Sequence, residues 1–471
     1  MRRPAAAAMI GAVLVAGYAT LDVLDRAPGI FTLAPVADPV SASSAPSPTV
    51  SVAAPSAAPS GMPLAPAGEA APVLSAAALQ AAVAPALTSP ALRGTVSAVV
   101  RDATTNAHLL DDDADTAVAP ASVLKLLSAT AVDSAFAPGS TLTTSAVLDP
   151  GAAHVFLVAG GDTLLAPGAG DPQAVPGRAG LADLATQAAS ALKTAGVTTV
   201  TVSVDSSYAS GPATAPTWPA AYRARGLTGP VAAIGLSTQR AVPGEPGPAD
   251  PVAEAGRAFV ARLREQQVTA TFDPASGAAP QGARPLGAVA SAPVADVLAL
   301  ALVESDNALT ESLARQAAFR SGAGSDFAAT AAYVRSVLVG LGVDVSGVAT
   351  YDASGLTRQS AVPARVVADV LALGTAGRVQ GLKDTLRQLP VAGLTGTLAD
   401  RFDGSESQSG AGVARAKTGT LTGVNTLAGT VVTLDGRLLT FTVMHEGPGG
   451  TPAARGALDR FVAALAQCGC R

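Results

Sequence analysis

Ala119-Pro120-Ala121-Ser122-Val123-Leu124-Lys125-Leu126-Leu127 sets a serine and a lysine three residues apart in an otherwise apolar run. Ser122 and Lys125 stand three apart, so a helix beginning near Ser122 after the Ala119-Pro120 turn brings both side chains onto one face. A serine hydroxyl is a poor nucleophile until its proton is taken. A lysine can take it only if burial or a neighbouring cation keeps the amine neutral. Val123, Leu124, Leu126 and Leu127 supply the burial, sinking the helix between other elements with the serine and lysine at its polar end. Ser190-Ala191-Leu192-Lys193 has the same spacing and is a decoy. It lies late in an amphipathic run from Leu181 to Thr194 that stops at Gly196, and Lys193 reads as a last-turn lysine facing the helix C-terminus and solvent.

The context of Ser122 separates it from the decoy. The chain has four lysines, Lys125, Lys193, Lys383 and Lys417, and the last stands in Ala416-Lys417-Thr418-Gly419-Thr420, within an apolar, β-branched C-terminal region. Between them comes Val303-Glu304-Ser305-Asp306-Asn307. Ser-x-x-Lys, Ser-Asp-Asn and Lys-Thr-Gly in that order form the signature of active-site-serine penicillin-binding proteins and β-lactamases. Several further segments narrow it: Leu157 to Asp162, Val204 to Tyr208 with Gly211-Pro212 and Trp218, Asp352-Ala353-Ser354-Gly355-Leu356, and Leu389 to Gly393 leading to Gly396-Thr397-Leu398. From about residue 75 to 465 the chain resembles the D-alanyl-D-alanine carboxypeptidase/endopeptidase family, the class C low-molecular-mass penicillin-binding proteins. Ala232 to Ser237 departs from the more Asn-rich run of that family, which predicts weak ligand binding by the accessory region.

The resemblance implies a substrate, the acyl-D-Ala-D-Ala stem peptide of peptidoglycan, with β-lactam antibiotics as covalent inhibitors. Ser122 is the implied nucleophile and Lys125 its general base, with Lys417 as the cation that helps keep Lys125 neutral. Ser305 would relay a proton to the leaving amine, and Asn307 would hold the substrate backbone and the Lys125 region. Their i, i+2 spacing suits a turn better than one helix face. The backbone N–H groups of Ser122 and Thr420 would receive the oxyanion. Thr418 and Thr420 would take the terminal carboxylate, and Gly419 would leave the strand edge clear for the peptide. Asp306 reads as structural, Asp352 and Ser354 as a tight turn, and Glu304 and Glu311 as flanking a helix from Asn307 to Ala317.

Two other functions meet the same motifs. A β-lactamase manages with a much shorter span than the 183 positions between Ser122 and Ser305, and no deacylating glutamate stands out. An inactive wall-binding protein would have lost Lys125 or Lys417, and both are present. The balance of carboxypeptidase and endopeptidase action stays open, as does a homodimer.

The rest of the chain frames these motifs. Arg2 and Arg3 precede an uncharged apolar run from Pro4 to Leu21, so residues 1–33 read as a signal peptide or N-terminal membrane anchor. Either puts the remainder outside the cytoplasm in the cell envelope, with that segment as its one membrane contact. Residues 34–72, rich in Ala, Ser and Pro, read as a disordered linker. The chain is 49% hydrophobic but 3% aromatic, with a formal charge of -5, so Ala and Val carry the apolar content. The absence of basic clusters argues against nucleic acid. Three scattered histidines and two cysteines at the C-terminus predict no metal site, and no cofactor is expected. Residues 73–144 and 288–471 are expected to build the catalytic domain. Its fold is α/β, a mixed, mainly antiparallel sheet with helices on both faces, and the resemblance implies the penicillin-binding-protein/serine β-lactamase-like transpeptidase fold. Residues 145–287, with their own strand and helix signals, read as an inserted α+β accessory region.

Overall fold

The computed structural model describes residues 71–149, 151–275 and 277–470. The strands, in chain order, are β1 (Thr95–Asp102), β2 (His108–Asp112), β3 (Ala117–Val118), β4 (Thr143–Leu148), β5 (His154–Val158), β6 (Thr199–Asp205), β7 (Thr269–Phe272), β8 (Arg284–Ala290), β9 (Val362–Pro363), β10 (Ala414–Leu421), β11 (Val424–Val432) and β12 (Leu438–Glu446). Helices of eight residues or more are α1 (Ala76–Leu87), α2 (Leu124–Ala135), α3 (Leu181–Thr194), α4 (Pro251–Glu265), α5 (Val294–Val303), α6 (Asn307–Arg320), α7 (Phe327–Gly340), α8 (Ala364–Thr375), α9 (Gln380–Arg387) and α10 (Thr451–Gln467). The signal or anchor segment expected at 1–33, and the linker up to residue 70, lie outside the described residues. No helix among the described residues is long and apolar enough to cross a membrane.

Both ends of the described chain build one five-stranded sheet in the order β10-β11-β12-β1-β2, antiparallel throughout. Its strands alternate apolar residues between two cores. Leu427, Val431, Phe441 and Val443 meet Leu458 and Phe461 of α10 on one face. Val99, Ala428 and Met444 turn to the other face, where a helical layer including α2, α5, α6 and α8 covers them. Central strand β11 is buried on both sides for most of its length, which is why its sequence is a near-continuous run of Val, Leu, Ala and Thr rather than an alternation. The strands leave room for tight turns: the Asp102 carboxylate accepts from the N–H groups of Thr104 and Thr105 and pairs with buried Arg437 at 2.5 Å. That pair ties the β1–β2 turn to the β11–β12 turn.

A second sheet runs β7-β6-β5-β4-β8, with β5, β6 and β7 parallel and β4 antiparallel to β5 and β8. Helices α3 and α4 pack on it over a core of their own. Thr143 pairs with Ala290, so the strands that enter and leave this region lie side by side and the chain returns where it departed. The sheet thus begins and ends slightly outside the 145–287 span read from sequence. Within residues 206–250, Ala233, Ile234 and Leu236 belong to the core of that sheet, but other parts leave it. Trp218 packs edge-on against Phe327 of α7 at 5.3 Å, its indole N–H donates to Asp352 at 2.8 Å, and Ala215, Val231 and Leu356 complete a small shared core. This excursion carries part of the inserted span onto the helical layer beside Ser305. At the C-terminus Cys468 and Cys470 form a disulfide.

Candidate active site

Ser122 sits in a 3₁₀ turn, Ala121–Val123, that runs directly into α2. Ala121 before it has φ +45°, a left-handed conformation that costs a non-glycine residue about 1 kcal/mol or more. The turn is clamped from two sides. The Thr426 hydroxyl of β11 donates to the Pro120 carbonyl at 2.9 Å, and the Ala119 N–H donates to the Glu446 carboxylate at 2.9 Å. One helical turn later Lys125 is fully buried, deeper than the polar helix end expected for it. Its Nζ lies 2.9 Å from Ser122 Oγ, 2.5 Å from Asn307 Oδ1 and 2.7 Å from the Ser354 carbonyl oxygen. Burial pushes the Lys125 ammonium down to about 8, against the opposing pull of Asp352, Glu311 and Asp306.

Ser305 and Asn307 come from the link between α5 and α6. Ser305 has φ +58°, and this left-handed kink breaks one helix and aims the next. Asp306 caps α6 by accepting from the Leu309 N–H at 2.9 Å. Asn307 is the first residue of α6, so the pair straddles turn and helix. The Asn307 amide donates through Nδ2 to the Leu227 carbonyl at 2.6 Å. Because that partner can only accept, the amide orientation is fixed and Oδ1 is left to Lys125. Arg240 bonds both carboxylates that flank Ser305, Glu304 and Asp306.

Lys417 is fully buried on edge strand β10. Its Nζ donates to Ser305 Oγ at 3.0 Å and to the Thr418 carbonyl at 2.9 Å. Burial first, and Lys125 second, hold its ammonium well below the usual lysine range. Three separate parts of the chain thus supply two hydrogen-bonded groups, Ser122–Lys125–Asn307 and Lys417–Ser305, set beside each other closely enough for the two lysine charges to interact. Thr418 Oγ1 donates to Thr397 Oγ1 at 2.8 Å, and Thr420 Oγ1 accepts from Arg455 of α10 at 3.0 Å. A Cβ on Gly419 would stand 2.1 Å from Thr426 Oγ1, 2.9 Å from the Pro120 oxygen and 3.0 Å from Ala121 Cβ. The glycine lets β10 close on the turn that carries Ser122.

Sequence reasoning missed several contributors. Ser354 acts through its carbonyl oxygen and Leu227 through its own, and a main-chain group leaves no side-chain signal. Glu311, expected to flank a helix, is buried within α6, where its carboxylate accepts from the N–H groups of Ala353 and Ser354 at 2.9 and 2.8 Å. Asp352 does form the expected turn, accepting from Gly355 N–H and Thr357 N–H. The decoy is placed as expected, with Ser190 and Lys193 exposed on α3.

An antiparallel sheet flanked by helices, with a buried lysine against a serine at the start of a helix and a second buried lysine on the edge strand, defines the penicillin-recognising class of active-site-serine proteins. The family model described as D-Ala-D-Ala carboxypeptidase 3 (S13) matches residues 79–245 and 247–468. The chain belongs to this family of serine-type D-Ala-D-Ala carboxypeptidases. It is 34% identical over 383 residues to carboxypeptidase DacB of Mycolicibacterium smegmatis, a match spanning 80% of this chain and 81% of the relative. It is also 34% identical over 226 residues to the D-alanyl-D-alanine carboxypeptidase of Actinomadura sp. (strain R39), covering 46% of this chain and 41% of that protein. Among solved structures, penicillin binding protein 4 (dacB) from Haemophilus influenzae shares the fold, with a TM-score of 0.66 at 19% identity over 83% of this chain and 98% of that one.

Proposed function

We propose that the chain hydrolyses the terminal D-Ala-D-Ala bond of peptidoglycan stem peptides through an acyl-enzyme on Ser122, and that β-lactams acylate the same oxygen. The surroundings of Lys125 Nζ carry this reading. Two of its three partners, Asn307 Oδ1 and the Ser354 carbonyl, can only accept. A neutral amine has two N–H donors and one lone pair, so these partners use both hydrogens and the lone pair faces Ser122 Oγ. Burial favours that neutral form.

Ser122 Oγ attacks the penultimate carbonyl as its proton passes to Lys125. The oxyanion is received by the N–H groups of Ser122 and Thr420. The second of these follows from strand geometry: the Ala414 carbonyl and Ala416 N–H bond outward to residues 392 and 390, so Thr418 and Thr420, at the same parity, turn their main-chain groups to the same open edge. A substrate lying along that edge as an added strand meets Thr418 and Thr420 hydroxyls and the Lys417 charge at its C-terminal carboxylate. Protonated Lys125 then passes that proton to the leaving D-Ala amine through Ser305, whose hydroxyl Lys417 holds, and returns to its neutral form. Water then attacks the ester, with Lys125 again as base, and releases the shortened peptide.

On this reading the enzyme works outside the cytoplasmic membrane. Arg2, Arg3 and the apolar run behind them support it, as does the Cys468–Cys470 bridge, a bond that persists in oxidising compartments.

The test is intact mass of the folded protein before and after benzylpenicillin, followed by peptide mapping. A single adduct on Ser122 is expected. Labelling on Ser190, or none on a folded protein, overturns the assignment.

A further inference from the structure

Glu311 is a carboxylate inside the helical layer that the reaction above does not use. It stands four residues after Asn307 on α6, hence on the same helix face. Asn307 touches Lys125 directly. Glu311 reaches the same lysine through one residue: its carboxylate accepts from the Ala353 and Ser354 N–H groups at 2.9 and 2.8 Å, and the Ser354 carbonyl accepts from Lys125 Nζ at 2.7 Å. From the opposite side, the Ser128 hydroxyl of α2 donates to the Ala353 carbonyl at 2.6 Å. The 352–355 turn is thus held between the two helices that also carry the nucleophile, the base and Asn307.

We infer that Glu311 is a positioning residue for acylation: it fixes the Ser354 carbonyl that orients the Lys125 amine, and its charge acts on that amine. The inference rests on the roles given to Ser122 and Lys125. The groups facing Lys125 are Asp306 at the N-cap of α6, Glu311 within that helix, Asp352 from the turn, and Lys417 from β10. Glu311 in turn faces Asp352 and Arg315. Burial and Asp352 push Glu311 up to about 8, so this acid and the base change protonation over the same range and titrate as a pair.

Three substitutions separate position from charge. Glu311→Gln keeps an oxygen for the two N–H groups and removes the negative charge. Glu311→Ala removes both. Ser128→Ala loosens the same turn without touching charge. The second-order rate of benzylpenicillin acylation is measured against pH, with near-ultraviolet circular dichroism as the check on fold. Loss of a nearby anion makes Lys125 easier to deprotonate, so Glu311→Gln is expected to move the rising limb to lower pH by about one unit. Glu311→Ala should lose a further ~10-fold or more at the plateau. Ser128→Ala should slow acylation with the limb unmoved. A folded Glu311→Gln with an unmoved limb, or Glu311→Ala reacting like wild type, overturns the inference. If neither Glu311 variant folds, a wild-type rate in Ser128→Ala overturns it by showing that the turn's placement is immaterial. Failure of the wild-type protein to label Ser122 is a different result, and sinks the proposed function instead.

Discussion

Gly419→Ala is the substitution whose effect the structure specifies most closely. The added methyl would stand 2.1 Å from Thr426 Oγ1 on the directly opposed residue of β11, 2.9 Å from the Pro120 oxygen and 3.0 Å from Ala121 Cβ. Relieving the first contact requires a movement of about 1 Å, since packed heavy atoms do not approach much below ~3 Å. Thr426 cannot simply rotate away without giving up its bond to the Pro120 carbonyl. Nor can the strand retreat freely, because Lys417 two residues earlier is locked to Ser305. The displacement therefore falls on the left-handed Ala121 turn and moves Ser122 relative to Lys125 and to the Thr420 N–H. Overpacking of this kind costs about 1–3 kcal/mol of stability, whereas a misplacement near 1 Å costs about 10²-fold in rate. Acylation by benzylpenicillin, followed by intact mass, should accordingly fall by roughly that factor while thermal unfolding shows only a modest loss. A Gly419→Ala protein that loses stability yet acylates within about 3-fold of wild type would refute the coupling of this strand to the serine turn.

Lys125→Ala removes the base but leaves the carboxylate site, and should lower acylation and peptide hydrolysis together by ~10²-fold or more, measured on protein shown to be folded. Lys417→Ala should impair donors that carry a terminal carboxylate more than esters or thioesters that lack one, and should alter the pH profile; equal slowing of both with an unchanged profile would leave Lys417 a packing residue. In the wild-type protein the acylation rate should rise with pH through about 8, where Lys125 loses its proton. Stability should shift in the same direction. With a folded value of about 8 against 10.5, the unfolded chain binds more protons at this site between those values, so this lysine's destabilising effect is complete below about 8 and is relieved as pH rises across the window. Chemical denaturation of wild type and Lys125→Met at several pH values isolates that contribution.

The linear chain disclosed the chemistry because acyl transfer needs particular side chains at short fixed spacings. Ser122 and Lys125 are neighbours on one helical turn, and Ser305 to Asn307 and Lys417 to Thr420 are equally local. The strand and helix periods around them place strands at 94–102, 413–418, 427–434 and 438–445 and a helix at 453–466, within a few residues of β1, β10, β11, β12 and α10. Other features were illegible for definite reasons. Leu227 and Ser354 contribute carbonyl oxygens, which every residue has. Glu311 looked like one surface acid among others until the turn at 352–355 folded against it. Nothing in the composition of residues 206–250 says that Arg240 brackets Ser305.

Sequence by itself thus determined the order of the motifs, the identity of nucleophile and base candidates, and the sheet assembled from both ends of the chain. Tertiary structure alone decided how deeply Lys125 and Lys417 are buried, and hence how far their charge is disfavoured. It also decided that Gly419 makes the close contact with the serine turn. The reason is the range of the forces involved. Helical and strand periodicity is set by neighbours along the chain, whereas desolvation and steric fit depend on what distant segments bring to within a few ångströms.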